Sequence, residues 1–179
     1  MANTQVGKRY AKALFQLAQE QGRLDAIHTD LGELAKLLET SVEFKALTRP
    51  YAISVTHRKE LYASALEGRV DPLILRFLQF IVEKGRAQHL AAMIDSFNQQ
   101  FNAARNILAV RIVSAHPLEQ RQVDEISVRL QARFHKEIKA TAEVDPSLLG
   151  GFQVRVGDMV YDYSINHQLN QFHRMLITV

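Results

Sequence analysis

A mainly α chain ending in a smaller α+β part is the fold class this sequence predicts, and three observations lead to it. Over roughly the first hundred residues apolar side chains recur every three or four positions, the period of a helix with one buried face. After Asn106 the period drops to two. The stretch EVDPSLLGGFQVRVGDMVYDYS, from Glu143 to Ser164, then sets short alternating runs between Pro and Gly turns. The expectation is a six-helix bundle over residues 1–106 and a small α+β domain over residues 107–179.

The helices can be placed in order. Tyr10, Leu14 and Leu17 share a stripe with Ala13 and Ala18, and Gly22 stands where a helix ends on a left-handed residue. Leu24, Ile27, Leu31, Leu34 and Leu38 step by three and four, the best-formed amphipathic stripe in the chain. A short third helix over Val42 to Leu47 is stopped by Arg49-Pro50, and a fourth runs from about Thr56 to Leu66 with Leu61, Tyr62 and Ala65, before Gly68. Asp71-Pro72 is a strong start signal, Asp as N-cap and Pro at the first helical position. The helix it starts, Leu73 to Val82, is apolar on nearly every side and stops at Gly85. Leu90, Met93, Ile94, Phe97 and Phe101 form the sixth stripe, which runs out at Arg105-Asn106.

Beyond that point Ile107 to Val113 reads as a strand, and His116-Pro117 breaks it before a helix marked by Val123, Ile126, Leu130 and Phe134. Ile138, Ala140, Ala142 and Val144 alternate until Asp145-Pro146-Ser147 closes the run. Gly150-Gly151 permits backbone angles that a side chain would forbid. Phe152, Val154 and Val156 lead into a turn at Gly157-Asp158 and a return over Met159 to Tyr161. The segment reads as a small β-meander. A last helix carries Ile165, Leu169, Phe172 and Leu176 on one face.

The chain has 179 residues, 47% of them hydrophobic, enough to bury a sizeable core. No apolar run approaches the roughly 20 residues needed to cross a bilayer, and Met1 to Lys12 lacks the apolar region of a signal peptide. The expectation is a membrane association made through partners alone. With no cysteine, disulfides, thiolate nucleophiles and Cys-based zinc sites are excluded, which fits a cytoplasmic home. The net charge of +3 sits in the first part, 14 basic against 11 acidic residues up to Asn106 and 8 against 8 after it. Such interspersed charge is a weak footprint for nucleic acid.

Chemistry is hard to find. Gly7-Lys8 lacks the upstream glycine of a P-loop, and Gly150-Gly151 leads into a strand. The seven histidines show no HExxH or His-x-His spacing. Asp158 and Asp162 flank a turn, where carboxylates are ordinarily solvated, and Ser147 and Ser164 have no evident His/Asp partners. Neither a cofactor nor a small-molecule substrate is expected. Arg9, Tyr10 and Lys12 could form a basic-aromatic RNA face, yet a helix surface with one inward Tyr explains them better. The apolar surplus on the first and fifth helices points instead to a groove for a partner helix, although a central helix is also legitimately apolar all round.

RYAKALFQLA at Arg9 to Ala18, FLQFIVEKGR at Phe77 to Arg86 and VDPSLLGGFQVRVGDMVYDYS in the C-terminal half closely resemble the delta subunit of bacterial F-type ATP synthases, called OSCP in mitochondria. The match spans essentially the whole chain, in order. The resemblance implies a non-catalytic stator subunit at the cytoplasmic face of the bacterial cell membrane. Its helical bundle would clasp the N-terminal helix of an alpha subunit at the top of the catalytic head, and its C-terminal domain the end of the b-subunit peripheral stalk. Torque would then be coupled to ATP synthesis. By position the groove would draw on Tyr10, Ala13, Leu14 and Leu17 of the first helix and Phe77, Phe80, Ile81 and Lys84 of the fifth. The stalk contact would involve Leu169, Phe172 and Leu176. The family commonly has Gly after the aspartate and a basic residue on the next turn, where this chain has Tyr163 and His167. The alternative is a small helical nucleic-acid-binding protein, which predicts binding that falls steeply with salt.

Overall fold

A computed structural model describes residues 2–49, 53–157 and 159–177, with side chains described except at 2–4, 171–172 and 174–177. The chain divides into two compact units, Met1–Phe101 and Asn102–Val179. Among the described residues the first holds helices α1 (Ala2–Glu20), α2 (Leu24–Thr40), α3 (Val42–Thr48), α4 (Val55–Leu66) and α5 (Pro72–Glu83), a short 3-10 turn (Ala87–His89) and most of α6 (Leu90–Ala104). The second holds β1 (Ile107–Ser114), α7 (Gln120–Phe134), β2 (Glu137–Val144), β3 (Gly151–Val156), β4 (Met159–Ser164) and α8 (Ile165–Ile177). The protein is thus mostly helical with one small sheet.

The ends of the helices follow from capping chemistry. Gly22 and Gly85 stand at φ of 66° and 62°, and the residue after each donates five positions back, Arg23 to Ala18 and Arg86 to Ile81. That pattern satisfies carbonyls a helix end would leave open. At the start of α5 the Asp71 carboxylate accepts the Leu73 N–H at 2.8 Å. The Asp71 N–H itself donates to the Asp30 carboxylate at 2.6 Å, and Arg23 pairs with the Asp71 carboxylate at 3.1 Å, so the first half of α2 and the residue before it are tied to the start of α5. Ser41 and Ser54 cap α3 and α4 in the same manner, accepting from Phe44 and His57.

The core of the helical unit is built from Ile27, Leu31 and Leu34 of α2, Tyr62 of α4, Ile74, Leu78 and Ile81 of α5, and Leu90, Met93 and Phe97 of α6. Each such side chain contributes about 1.5–3 kcal/mol by leaving water. Ring contacts tie the helices laterally: Phe15 of α1 lies 5.7 Å from Phe97 of α6, His28 of α2 stacks on Phe101 at 3.9 Å, and Phe44 meets Tyr62 edge-on at 5.7 Å. At Gly7 the first helix approaches Ala92 so closely that a Cβ would lie 3.0 Å from its backbone. Burial pushes the Tyr62 hydroxyl up to about 12, against the opposing pull of Arg58.

In the second unit the strands run in the order β2-β1-β3-β4. This corrects the expected meander. β2 pairs parallel to β1, from Ile107 with Glu137 to Ser114 with Val144, while β3 pairs antiparallel to the other side of β1. Among the described residues only β3 and β4 form a hairpin, with Val156 opposite Met159. A parallel pair needs a crossover, and α7 supplies it. Alternating residues of β1 and β3, namely Val110, Ile112, Val154 and Val156, face Val123 and Leu130 of α7 to make the core. β1, paired on both sides, is buried over Ile112, Val113 and Ser114, whereas edge strand β2 is half-buried only at Ile138 and Ala140.

Candidate partner-binding surfaces

Six of the eight residues expected at a groove lie where a partner could reach them. On α1, Tyr10 is half-buried and Ala13 and Leu17 are exposed; on α5, Phe77 is half-buried and Phe80 and Lys84 are exposed. The two sets have the same i, i+3, i+7 spacing, so each forms a stripe along one side of its helix. Leu17 and Phe80 keep 45% and 46% of their surface open, a large exposure for such apolar groups. The remaining two candidates do not face outward. Leu14 is 2% and Ile81 0% exposed, so both belong to the packed layer beneath the stripes.

The stripes are neighbours. Tyr10 and Phe80 bring their rings to 6.0 Å, and the Lys84 ammonium sits 5.6 Å from the Phe80 ring centre. Aromatic faces carry negative charge density, so this cation is held over an apolar surface without losing its water. The arrangement presents an apolar strip with a positive group at one end. Among the described residues no group of three or more His, Cys, Asp or Glu could hold a metal.

On the second unit the expected stalk residue Leu169 is 54% exposed, and Ile165 one turn earlier is exposed as well. Phe172 and Leu176 continue that spacing on α8, but their side chains lie outside the described residues. Sequence reasoning did not single out the apolar groups left open on the edge strands, Val144 at the end of β2 and Met159 and Val160 on β4. The signal was present in the alternation itself, which marks one face of each strand and says nothing about whether anything covers it.

The remaining candidates that are described have structural employment. Asp158 lies outside the described residues. The Asp162 carboxylate accepts from the Gln153 amide at 3.0 Å and the Ser164 N–H at 2.8 Å. Burial pushes this carboxyl up, but the bonds from Ser164 and Gln153 and the nearby His167 outweigh it and hold it below its ordinary value. Asp145 is likewise held low by its bonds with Ser147. Tyr163 continues β4, its ring 5.4 Å from Phe152 and its hydroxyl accepting from Arg133 at 3.4 Å. The His167 N–H donates to Ser164 at 3.2 Å, which caps α8.

A helical unit with an open apolar strip, joined to a small α+β unit whose last helix leaves Ile165 and Leu169 exposed, defines a protein built for assembly. The sequence pattern of the ATP synthase delta (OSCP) subunit matches residues 6–176. The chain is 37% identical over 178 residues to ATP synthase subunit delta of Symbiobacterium thermophilum, covering 99% of this chain and 96% of that protein. It is 32% identical over 167 residues to the same subunit of Brevibacillus brevis, covering 93% and 95%. Its fold matches a chain in a cryo-EM structure of the Toxoplasma gondii mitochondrial ATP synthase hexamer with a TM-score of 0.77 at 27% identity, over 96% of this chain and 97% of that one. The chain belongs to the ATP synthase delta (OSCP) subunit family. That membership supports the stator function and leaves the nucleic-acid alternative without support.

Proposed function

We propose that the two units of this ATP synthase subunit are the two ends of a clamp. The helical unit, working as a six-helix bundle, holds the N-terminal helix of an alpha subunit on the α1/α5 strip, and the α+β unit holds the end of the b-subunit stalk through α8. The subunit performs no chemistry. It keeps the catalytic head from turning with the rotor, so that proton-driven torque is spent on ATP synthesis. It sits at the cytoplasmic face of the bacterial cell membrane through the complex, in keeping with the lack of any helix among the described residues long and apolar enough to cross a bilayer.

The observation that carries this reading is the pair of open stripes. Tyr10, Ala13 and Leu17 beside Phe77, Phe80 and Lys84 offer an amphipathic helix an apolar seat about two turns long, with a cation for an acidic residue at one end. A nanomolar joint needs roughly 12 kcal/mol, and a strip that is already formed spares the ordering cost of making one. Titration calorimetry of the full chain with the alpha N-terminal peptide tests it. Leu17→Glu and Phe80→Asp each weaken binding by at least about tenfold, some 1.4 kcal/mol, while circular dichroism stays that of the folded chain. Unchanged affinity in both folded variants would remove the strip from the interface.

A further inference from the structure

Among the described residues Arg58 is the one permanently charged side chain that the fold buries, at 5% exposure. It rises from the first turn of α4, and its Nη2 donates to the carbonyls of Arg49 at 2.9 Å and Ile53 at 3.1 Å. Those bonds brace the connection between α3 and α4. They do not neutralise the charge, and no carboxylate pairs with Arg58 among the described residues. Its Nε is buried with no hydrogen-bond partner. A guanidinium has five donors and keeps its charge at any physiological pH, and a charge removed from water is costly until something compensates it.

Arg58 also lines a cleft of about 610 Å³ bounded by the start of α4, the end of α5 and the 3-10 turn. The lining includes Arg86, Gln88, Thr48 and Ser54 and, among the described residues, no Asp or Glu. Arg86 is exposed and makes no ion pair among the described residues. Ser54 accepts the His57 N–H, which leaves its own hydroxyl proton to be donated elsewhere. Val55 opens α4, whose first-turn N–H groups favour an anion. Ile53, Val55 and Val82 make the remaining wall apolar.

We propose that this cleft binds a small organic anion, its phosphate or carboxylate seated between Arg58 and Arg86 and its apolar body against Ile53, Val55 and Val82. Two guanidinium groups favour an oxyanion with several acceptor oxygens, and the cleft has the size of a small-molecule site. None of the six stripe residues takes part, so the site stands independently of the clamp. The test is amide chemical-shift titration of the full chain, at constant ionic strength, with phenyl phosphate, benzoate and phenol. Saturable shifts confined to residues 54–58 and 85–88 are expected with one or both anions and not with phenol; which anion saturates assigns phosphate or carboxylate. Arg86→Gln, on the exposed rim, lowers affinity at least about fivefold, and Arg58→Lys lowers it although charge is kept, because the fork is lost. Saturation by neither anion, equal shifts with phenol, or wild-type affinity in Arg86→Gln would overturn the site.

Discussion

A Cβ on Gly151 would lie 2.4 Å from the Tyr163 carbonyl oxygen and 3.1 Å from the Ser164 Cα, at a backbone φ of 75°. Backbone cannot step aside as a side chain can, and positive φ alone costs about 1–2 kcal/mol for a residue with a Cβ. Gly151→Ala therefore destabilises the α+β unit by at least about 2 kcal/mol, read as lost hydrogen-exchange protection in β3 and β4. At Gly150 the obstacle is only the Ile165 side chain, and the penalty is smaller. Sequence showed that the pair served geometry, but not which glycine was indispensable, because that depends on the strand opposite. Leu14 and Leu17 teach the same lesson. A stripe tells which side of a helix is apolar, and the placement of neighbours decides which part is covered. Leu14→Asp or Ile81→Asp puts an unpaired carboxylate into the core and costs several kcal/mol of stability, about 3–5, in contrast to the folded Leu17 and Phe80 variants. Asp145 and Asp162, both held below their ordinary values when folded, contribute stability that is present above the unfolded carboxylate range and lost as pH falls through their folded values. Asp162→Asn should flatten the acid limb of a melting-temperature profile; an unaltered limb would deny Asp162 that role.

The helices were legible because their stops are local chemistry. Gly22, Gly85 and the Asp71-Pro72 start act within a few residues of themselves, so no knowledge of the fold is needed to read them. Asp71→Ala removes the cap of α5 together with the acceptor for Arg23. The expected loss is about 1–2 kcal/mol in urea unfolding, most of it from the cap, since Arg23 is half-exposed and such ion pairs contribute little. An equal loss in Arg23→Ala would assign the effect to the ion pair instead. Strand order was not legible. Alternation in β2 looks the same whether the strand neighbours β3 or β1, and only the crossover through α7 brings Glu137 opposite Ile107. The meander reading took sequence adjacency for spatial adjacency, which parallel pairs violate by construction. The end of α7 shows another limit. His135 takes a left-handed φ of 53° there, a role usually given to Gly or Asn, and no sequence rule marked it.

For the whole molecule, two compact units, Met1–Phe101 and Asn102–Val179, each carry apolar surface that their own cores do not use. Exposed Leu17 and Phe80 on the first, and Ile165 and Leu169 on the second, are the residues a subunit needs if it is completed by partners at both ends. The family could be read from three sequence motifs occurring in order along the chain, since those motifs are geometric: an amphipathic helix stripe, an apolar helix with its glycine stop and a glycine-dependent strand exit. Which open surface meets which partner could not, because a contact depends on a second molecule's shape as well as on this one's. Sedimentation velocity of purified catalytic head, soluble b segment and full chain addresses the clamp most directly. The account predicts one fast-sedimenting complex containing all three, formed only when the chain is present and lost to separate species when Leu17 and Phe80 are both charged. Head and b co-sedimenting equally well without the chain, or the chain sedimenting alone in the presence of both, would contradict it.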